Sequence, residues 1–368
     1  PTYQLLGDEL DGPRGRIYLV KQVLEGHEVS ARTQRHLDRC LTCRACETTC
    51  PSGVQYGRLA DIGRKIVDER VPRTLIERLQ RWALRSVLPY PSRFTPLLKL
   101  ARALRPLVPR KMKGSITRPM APGNWPAAQH ERRMLLLDGC VQPALAPRIN
   151  TASARVLDRL GISLVRPEDA GCCGAISYHL NAQDEGLDYM RRVIDAWWPH
   201  IEAGVEAVVT TASGCGAVVK EYGHLLRNDS RYADKAARVS EMACDISEVV
   251  RDADISALTG RPRKIAFHSP CTLQHGQKLS GVTEGLLRRL GFELTPVSDA
   301  HLCCGSAGTY SILQERLSQR LLADKLDALQ SGEPDVIATA NIGCLAHLQS
   351  RAHVPVVHWI ELLDNTSP

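Results

Sequence analysis

The sequence contains Gly171-Cys-Cys-Gly-Ala175 and, further along, a second copy, Leu302-Cys-Cys-Gly-Ser306. In both copies a single cysteine lies 32 residues before the pair and another follows it, so the order C…CCG…C occurs twice. Internal self-similarity of this kind indicates a duplicated structural unit. The cysteines of the two units are Cys140, Cys172, Cys173 and Cys215, and Cys271, Cys303, Cys304 and Cys344.

The residues around these cysteines repeat as well. Asp158-Arg-Leu-Gly161 corresponds to Arg288-Arg-Leu-Gly291, and Val208–Cys215 corresponds to Ile337–Cys344. The sequence therefore predicts two lobes of the same fold. Cys244 has no cysteine counterpart, and we interpret it as a small, buried apolar residue.

The thirteen cysteines need an explanation other than disulfide bonds. No basic region followed by an apolar segment indicates secretion, and thiols inside the cell are normally reduced. Adjacent cysteines rarely bridge one another because that geometry is strained. Metal ligation is the remaining use: a vicinal pair presents two thiolates from one turn, and Gly174 or Gly305 lets the backbone approach an inorganic core. Each repeat thus offers four sulfur ligands.

A separate cysteine run lies near the start: Cys40-Leu-Thr-Cys43-Arg-Ala-Cys46-Glu-Thr-Thr-Cys50-Pro51. Its spacing is the C-x2-C-x2-C-x3-C-P pattern of ferredoxin-type iron–sulfur binding. The first three thiolates can surround one cubane, whereas the fourth usually ligates a different cluster. A zinc knuckle is the alternative, but three successive steps that end in Cys-Pro favour iron.

The segments around these cysteines differ in composition. Residues 1–70 are predicted to be a small helical module, with apolar residues at helical spacing in Arg16–Leu24 and Leu59–Val67. Residues 72–113, the basic segment, contain eleven Lys/Arg and one acid, Glu77, among leucines and helix-breaking prolines. Residues 114–131 are rich in Pro and Gly and are predicted to be a linker.

The basic segment has two interpretations. Its helices could pack on their own protein with the arginines in solvent, or they could dock on anionic lipid or an acidic partner. We favour docking slightly. Nucleic acid is disfavoured as a partner, because the positive charge is confined to one amphipathic region without an accompanying binding fold.

From residue 133 onward, short apolar runs alternate with helical patterns, which predicts two α/β lobes. Cys140, Cys215, Cys271 and Cys344 each follow an apolar run, where open α/β sheets place their ligands. The predicted fold class is α+β overall, a helical ferredoxin-type module followed by two duplicated α/β lobes. The predicted strands are Met134–Leu137, Ala207–Val209, Ile265–Phe267 and Val336–Ala338, and the predicted helices are Ala154–Leu160, Leu187–Trp198 and Leu313–Leu329. The predicted domains are 1–70, 71–131, 132–255 and 256–368.

Composition excludes several classes of protein. The chain has 368 residues, of which 43% are hydrophobic and 24% are charged, so general disorder is excluded. No apolar run approaches the roughly 18 residues that a membrane-spanning helix needs. The net charge of +7 could suit an anionic surface but identifies none.

The sequence resembles the iron–sulfur subunits of bacterial glycolate oxidases over essentially its whole length. The residues that carry the resemblance are Gly7–Leu19, Cys40–Pro51, Gly171–Ala175, Thr211–Gly216, Phe267–Gln277 and Leu302–Tyr310. The CCG repeats alone are less specific, since similar ones occur in lactate-utilisation proteins, anaerobic glycerol-3-phosphate dehydrogenase and heterodisulfide reductase.

The resemblance implies a function. Such subunits pass electrons from FAD-containing flavoprotein subunits, which oxidise glycolate to glyoxylate, towards the quinone pool, in a cytoplasmic complex associated peripherally with the inner membrane. It also implies [4Fe–4S] clusters, two of ferredoxin type in the intact protein and one in each CCG repeat. All twelve cysteines of the run and the repeats are then ligands.

The sequence departs from related patterns in two ways. Family members carry an earlier C-x2-C-x2-C-x3-C-P run, and this sequence starts at Pro1-Thr-Tyr, as if just after it. We therefore expect Cys40, Cys43 and Cys46 to lack their fourth ligand here. Heterodisulfide reductases end each repeat with C-x2-C, whereas here Cys215-Gly-Ala-Val218 and Cys344-Leu-Ala-His347 stand there. Four ligands per repeat favour an ordinary [4Fe–4S] cluster.

An electron-transfer subunit is the leading functional hypothesis, because no Gly-x-Gly-x-x-Gly fingerprint indicates a nucleotide or flavin site on this chain. A thiol or disulfide reductase that uses the CCG sites directly and a purely structural metal module are the alternatives. His268 could donate to a cluster sulfur, although a core histidine is at least as good an interpretation. The same holds for His301 and His347. Arg14 and Arg16 could contact a partner or solvate a loop.

Overall fold

The computed structural model describes residues 1–107, 120–167 and 169–364. The N-terminal part is helical, and α2 and α5 confirm the two helices predicted from apolar spacing. The first five helices are α1 (Thr2–Leu6), α2 (Pro13–Leu24), α3 (Ala31–Asp38), α4 (Ala45–Thr48) and α5 (Tyr56–Arg70). Pro13 fits the first turn of α2, where no backbone donor is needed, and the Ser30 side chain caps α3.

A small apolar core and a buried ionic network hold this helical module together. Val20, Leu37 and Val67 join α2, α3 and α5 in the core. Asp11 is buried and accepts from Arg39 at 2.9 Å, with His36 Nδ1 at 3.1 Å. Arg16 donates to the His36 carbonyl and lies 3.4 Å from Asp11. Arg16 is thus a buried structural residue, and both of its interpretations, as a partner contact and as a residue that solvates a loop, were wrong.

The basic segment forms a helical pair on the surface. Its helices are α6 (Leu75–Val87) and α7 (Pro91–Ala103), followed by a 3-10 turn (Arg105–Leu107). A capping box between Thr74 and Glu77 begins α6. Neither helix contains a fully buried residue. The end of the basic segment and the first third of the predicted linker, residues 108–119, lie outside the described residues.

The rest of the described chain forms two parallel four-stranded sheets of identical topology. Their strand orders are β2-β1-β3-β4 and β6-β5-β7-β8. The strands of the first sheet are β1 (Arg132–Leu137), β2 (Ile162–Val165), β3 (Ala207–Thr210) and β4 (Ala243–Asp245). Those of the second are β5 (Lys264–His268), β6 (Glu293–Leu294), β7 (Val336–Thr339) and β8 (Val356–His358).

Helices connect these parallel strands, as crossovers between parallel strands require. Those of the first repeat are α8 (Gln142–Leu145), α9 (Arg148–Arg159), α10 (Ala175–His179), α11 (Gln183–Glu202), α12 (Ser213–Val219), α13 (Tyr222–Leu225), α14 (Ala233–Met242) and α15 (Ile246–Asp252). Those of the second are α16 (Val282–Arg289), α17 (Tyr310–Leu313), α18 (Glu315–Gln330) and α19 (Ile342–Gln349). Single turns of 3-10 helix lie at Glu9–Asp11, Ile255–Ala257 and Trp359–Leu363, and a π-helical turn lies at Thr272–Gly276.

The predicted α+β fold class and its duplication are confirmed. The register is equivalent in the two sheets: Val209 pairs with Cys244 in one, and Ala338 pairs with Val357 in the other. Cys244 is partly exposed rather than buried, and its structural counterpart is the apolar Val357. The four predicted strands form the centres of the sheets, whereas the short outer strands were missed.

The two repeats share one continuous hydrophobic core. A single apolar cluster includes Leu136 and Ile149 of the first repeat together with Phe267, Ile337 and Trp359 of the second. The repeats are also joined by the backbone bond from Ser213 N to Ala340 O, 3.1 Å, and by Arg155 against Asp364. The duplicated units therefore pack as one body.

The helical module contacts both repeats. Arg44 forms a two-pronged ion pair with Glu221 of the first repeat. Thr48 Oγ1 lies 2.9 Å from His275 Nδ1 of the second repeat, and the Tyr310 hydroxyl donates to the Arg39 carbonyl at 3.2 Å. No helix within the described ranges is long and apolar enough to cross a bilayer.

Candidate metal centres

The repeat cysteines lie where parallel strands end. Cys140 follows β1 and Cys215 lies in the first turn of α12 after β3. Cys271 follows β5, and Cys344 lies in the first turn of α19 after β7. The carboxyl ends of parallel strands meet at one edge of a sheet, so this placement brings the cysteines of each repeat together. The predicted position of these cysteines is confirmed.

The four thiols of the first repeat form a continuous chain of contacts. Cys172 is hydrogen-bonded to both Cys140 and Cys173, and Cys173 is hydrogen-bonded to Cys215. Accepting from Cys172 and Cys215 lowers the pKa of Cys173, whereas donating raises the pKa of Cys172 and of Cys215. These thiols are mutually placed to bind one shared group.

The second repeat reproduces this chain with its own cysteines. The Sγ atoms of Cys271 and Cys303 are 3.9 Å apart. Cys303 is hydrogen-bonded to Cys304, and Cys304 to Cys344. All four are buried. Each repeat thus gathers the four predicted sulfurs in the same order.

The glycine after each cysteine pair is required by the backbone. Gly174 and Gly305 have φ of +85° and +88°. A Cβ on Gly174 would lie 2.5 Å from the Gly186 carbonyl oxygen, and one on Gly305 would lie 2.6 Å from that of Ser318. Both the left-handed conformation and the close approach exclude a side chain. The glycines therefore allow the cysteine pair to pack directly on the following long helix.

Three cysteines of the ferredoxin-type run also lie together. Cys40 and Cys43 both act electrostatically on Cys46, whose pKa rises to about 12 through burial and then through these neighbours. Thr42 and Arg44 between them have positive φ, which bends the chain around the space that the thiols face. Burial opposes ionisation of Cys40, but the Arg16 and Arg64 charges, together with hydrogen bonds from Tyr56 and Thr42, outweigh it and lower its pKa.

Cys50 has different surroundings. Its thiol accepts backbone hydrogen bonds from Val54, Ser52 and Gly53, and these lower its pKa. The structure brings together Cys40, Cys43 and Cys46, whereas Cys50 faces its own loop. This division agrees with the two-cluster reading of the motif.

The ferredoxin-type run lies beside the second repeat. Cys43 packs on an apolar cluster that includes Leu41, Cys271 and Cys303. Burial, followed by the neighbouring Cys271 thiol, raises the pKa of Cys43 to about 12. One cysteine group of the helical module is thus in direct contact with one CCG site.

The histidines near the second site have different roles. His268 is buried, and burial with the Lys325 charge lowers its pKa to about 3. A ring nitrogen of His268 and the Sγ atoms of Cys304 and Cys344 all lie within 4.8 Å of one another. His347 instead faces Ser318 Oγ at 3.1 Å, and His301 is exposed.

Sequence reasoning missed two polar groups that line the second site. Lys325 is buried and acts electrostatically on Cys304, Cys303 and Cys271. The Asn341 side chain is hydrogen-bonded to Cys344. A lysine within a helical pattern and an asparagine at a helix cap carry no sequence signal for a metal site.

The chemistry of the donor sets suits an iron–sulfur cluster. Each repeat offers four thiols, of which all but the partly exposed Cys215 are buried, and a backbone donor on the second cysteine of the pair, from Ala175 N to Cys173 and from Ser306 N to Cys304. Thiolates with backbone N–H donors are the usual surroundings of such clusters. A closed four-sulfur zinc site uses the same ligands but does not account for the ferredoxin-type run.

Comparisons with known proteins agree with this donor chemistry. The CCG cysteine-rich domain family matches residues 134–220 and 265–349. The glycolate oxidase iron-sulfur subunit of Escherichia coli (strain K12) is 57% identical over 366 residues, covering 99% of this chain and 90% of its own length. The probable glycolate oxidase iron-sulfur subunit of Bacillus subtilis (strain 168) is 31% identical, covering 95% and 85%.

More distant relatives match a smaller part of the chain. Lactate utilization protein A of Bacillus licheniformis is 28% identical over 239 residues, which is 61% of this chain. The alternatives of a lactate-utilisation protein and a thiol or disulfide reductase are not favoured by these matches.

Proposed function

The chain belongs to the family of glycolate oxidase iron–sulfur subunits, and we propose that it transfers electrons released when a partner subunit oxidises glycolate to glyoxylate. It is an oxidoreductase component that binds iron–sulfur clusters. The observation that carries the proposal is the equivalent chain of four neighbouring thiols in each repeat.

We assign the ligands as follows. Each set of repeat cysteines holds one [4Fe–4S] cluster, and Cys40, Cys43 and Cys46 provide three ligands of a ferredoxin-type cluster. Cys50 belongs to a second cluster of that type. When bound, such clusters accept and donate single electrons at potentials set by burial and by hydrogen bonds to sulfur. The first set is Cys140, Cys172, Cys173 and Cys215, and the second is Cys271, Cys303, Cys304 and Cys344.

The packing of the chain supports an electron path through the second repeat. Cys43 shares an apolar cluster with Cys271 and Cys303, so the two ligand groups are separated by no intervening layer of structure. We propose that electrons pass between the helical module (1–70) and the CCG domains (132–255 and 256–368) here, and that residues 71–131 connect them.

The proposed partners are FAD-containing flavoprotein subunits and a quinone. The sequence has no dinucleotide fingerprint, so hydride chemistry belongs to a partner. One-electron centres then link a two-electron flavin donor to the quinone pool.

Metal analysis tests this function directly. We would measure iron and acid-labile sulfide per chain after anaerobic reconstitution, with EPR of the reduced protein. We expect about eight irons in the CCG repeats, of which Cys173→Ser and Cys304→Ser should each remove about four. Iron confined to the helical module, with the CCG thiols free and reactive, would contradict electron transfer through the repeats.

We further propose that the basic segment places the protein on the cytoplasmic face of the inner membrane. An amphipathic helix normally turns its apolar face to the core, yet Leu75, Leu79 and Trp82 on one face of α6 are exposed by 58–79%. In α7 and the following turn, Leu97, Leu100 and Leu107 are exposed as well. Apolar residues interleaved with an excess of positive charge fit the surface of an anionic bilayer.

Vesicle flotation tests this docking surface. The protein should bind phosphatidylglycerol-containing vesicles more strongly than pure phosphatidylcholine, and less strongly as salt rises. The double variant Leu79→Glu/Trp82→Glu should lose this binding. Ile312→Glu is the matched control, because Ile312 is 57% exposed outside the basic segment. Equal binding of both variants would contradict the proposal, as would binding only to an acidic subunit of the complex.

A further inference from the structure

The two CCG sites differ at the residue that ends their first strand. His268 ends β5 three residues before Cys271, and Leu137 ends β1 three residues before Cys140. Both side chains are buried, with exposures of 2% and 3%. The second repeat thus carries an imidazole where the first carries an aliphatic side chain.

One nitrogen of this imidazole lacks a partner. His268 Nδ1 lies 2.9 Å from Thr339 Oγ1, while Nε2 is buried without a hydrogen-bond partner among the described residues. Leaving a buried polar atom without a hydrogen-bond partner is energetically unfavourable. The sulfurs of Cys304 and Cys344 lie within 4.8 Å of a ring nitrogen, so a sulfur acceptor is available. When the Thr339 hydroxyl donates to Nδ1, the ring proton is on Nε2.

A second difference adds positive charge to the same site. Lys325 is 3% exposed, donates to the Asp299 carbonyl at 2.7 Å, and acts electrostatically on three cysteines of the second repeat. Its position follows Ser318 by seven residues in α18. Val193 follows Gly186 by seven in α11, and Gly186 and Ser318 make the equivalent contacts with the CCG glycines. An apolar residue therefore replaces the lysine in the first repeat.

We propose that His268 donates a hydrogen bond from Nε2 to a sulfur of the cluster in the second repeat and, with Lys325, raises its reduction potential above that of the first. Hydrogen bonds to sulfur and nearby positive charge both stabilise the reduced cluster, which carries one more electron. Donation is favoured over ligation because four thiolates already satisfy a cubane. The inference rests on the proposed function, since it requires a cluster in each repeat.

The consequence is a direction for electron transfer. One electron leaves the cluster of the first repeat, which is oxidised, and the cluster of the second repeat is reduced by it; no bond or proton is exchanged. The electron then resides beside Cys43, the cysteine of the helical module that contacts Cys271 and Cys303.

Exchanging the two residues tests this inference. We would measure reduction midpoints by EPR-monitored potentiometric titration of the reconstituted full chain, with signals assigned by Cys173→Ser and Cys304→Ser. His268→Leu should lower the midpoint of the second-repeat signal, leave the first unchanged and retain all iron. Leu137→His should raise the midpoint of the first-repeat signal, and Lys325→Met should lower the second by a smaller amount.

Two further variants control for structural effects. His268→Gln keeps an N–H donor and should restore part of the lost potential. His347→Val gives the second repeat the residue that the first repeat has at the equivalent position, Val218. It should leave the midpoint unchanged, because His347 faces Ser318.

The outcomes separate the inference from the proposed function. If His268→Leu retained all its iron and the reduction midpoints did not change, the inference would be overturned. If His268→Leu lost as much iron as Cys344→Ser, His268 would be a ligand, and the inference would be overturned as well. Absence of any signal assigned to the CCG repeats in the unaltered chain would instead overturn the proposed function.

Discussion

The two CCG repeats have the same backbone framework around their thiols, but the side chains that lie next to the thiols differ. Both have a four-stranded parallel sheet, a cysteine after each central strand and a glycine at positive φ after the pair. Behind the thiols, the second repeat places His268, Lys325 and Asn341. The first repeat instead places Tyr222 and Tyr189 near its cysteines.

The comparison shows that the positions of the ligand sulfurs and the charge and hydrogen bonding around them are determined by different residues. The strand order and the CCG turn determine where four sulfurs meet, because they position backbone atoms. Side chains one layer further out change charge and hydrogen bonding without changing that geometry. Variants of the shared framework should therefore affect both repeats alike, and variants of the differing residues should not.

Removing a ligand should have the largest effect. Cys173→Ser and Cys304→Ser each replace the central thiol of one set, so each should lose one complete cluster, about four irons. Iron and sulfide analysis of the reconstituted variants measures this loss. Loss of iron from the other repeat in either variant would show that the two sites are not independent. Cys244→Ser is the control and should retain all iron.

A methyl group on the CCG glycine should be the next largest effect. Gly174→Ala and Gly305→Ala each force alanine into a left-handed conformation, which costs about 1–2 kcal/mol, and place Cβ 2.5–2.6 Å from a carbonyl oxygen. We expect each to lower the free energy of unfolding by more than about 3 kcal/mol. Urea unfolding measures it, with Gly285→Ala as the control because no atom lies within 4 Å. Unequal losses of stability in the two variants would show that the two CCG turns are not equivalent.

The outer strands should respond to pH in opposite directions. Asp245 ends β4 and His358 ends β8, and each caps the following helical turn. Burial raises the pKa of Asp245 to about 6, so its contribution to stability is complete below its ordinary value and is lost as pH rises through about 6. Burial lowers the pKa of His358 to about 4, so its contribution is present above about pH 6.5 and is lost as pH falls towards 4.

Each of these pKa shifts corresponds to a change of about 3 kcal/mol in the free energy of unfolding. Asp245→Asn should reduce the loss of stability between pH 4 and 6.5, and His358→Asn should reduce the opposite loss over the same range. Urea midpoints between pH 4 and 7 measure both slopes. Slopes that change in the same direction in both variants would contradict the assignment.

Much of this architecture could be predicted from the sequence because it is encoded in local pattern. The β1, β3, β5 and β7 strands are apolar runs, and the cysteine spacing repeats at the strand ends. Strand β6 has only two residues, Glu293 and Leu294, and carries no periodic signal, since its pairing with β5 determines it.

The surroundings of the sites could not be predicted, because they depend on contacts between distant residues. Lys325 looks like a surface position in a helical pattern, yet α18 turns it inward against the CCG turn of its own repeat. For Leu75 and Trp82 the sequence left both packing and docking open, and the structure exposes both side chains. The shared core between the repeats, with Ile149 and Trp359 in one cluster, likewise arises only from tertiary packing.

The smallest effects should distinguish how the helical module contacts each repeat. The Arg44–Glu221 ion pair with the first repeat is partly buried, whereas Thr48 and His275 form a neutral hydrogen bond with the second. Glu221→Gln should weaken docking by about 1–2 kcal/mol, and Thr48→Val by about 0.5–1 kcal/mol. Only the ion pair should weaken in salt, because screening acts on charges. Hydrogen exchange of the Cys40–Cys50 amides in the full chain measures both. If exchange in Thr48→Val were as fast as in Glu221→Gln and equally salt-dependent, the contacts would not differ in kind, and the two repeats would hold the module alike.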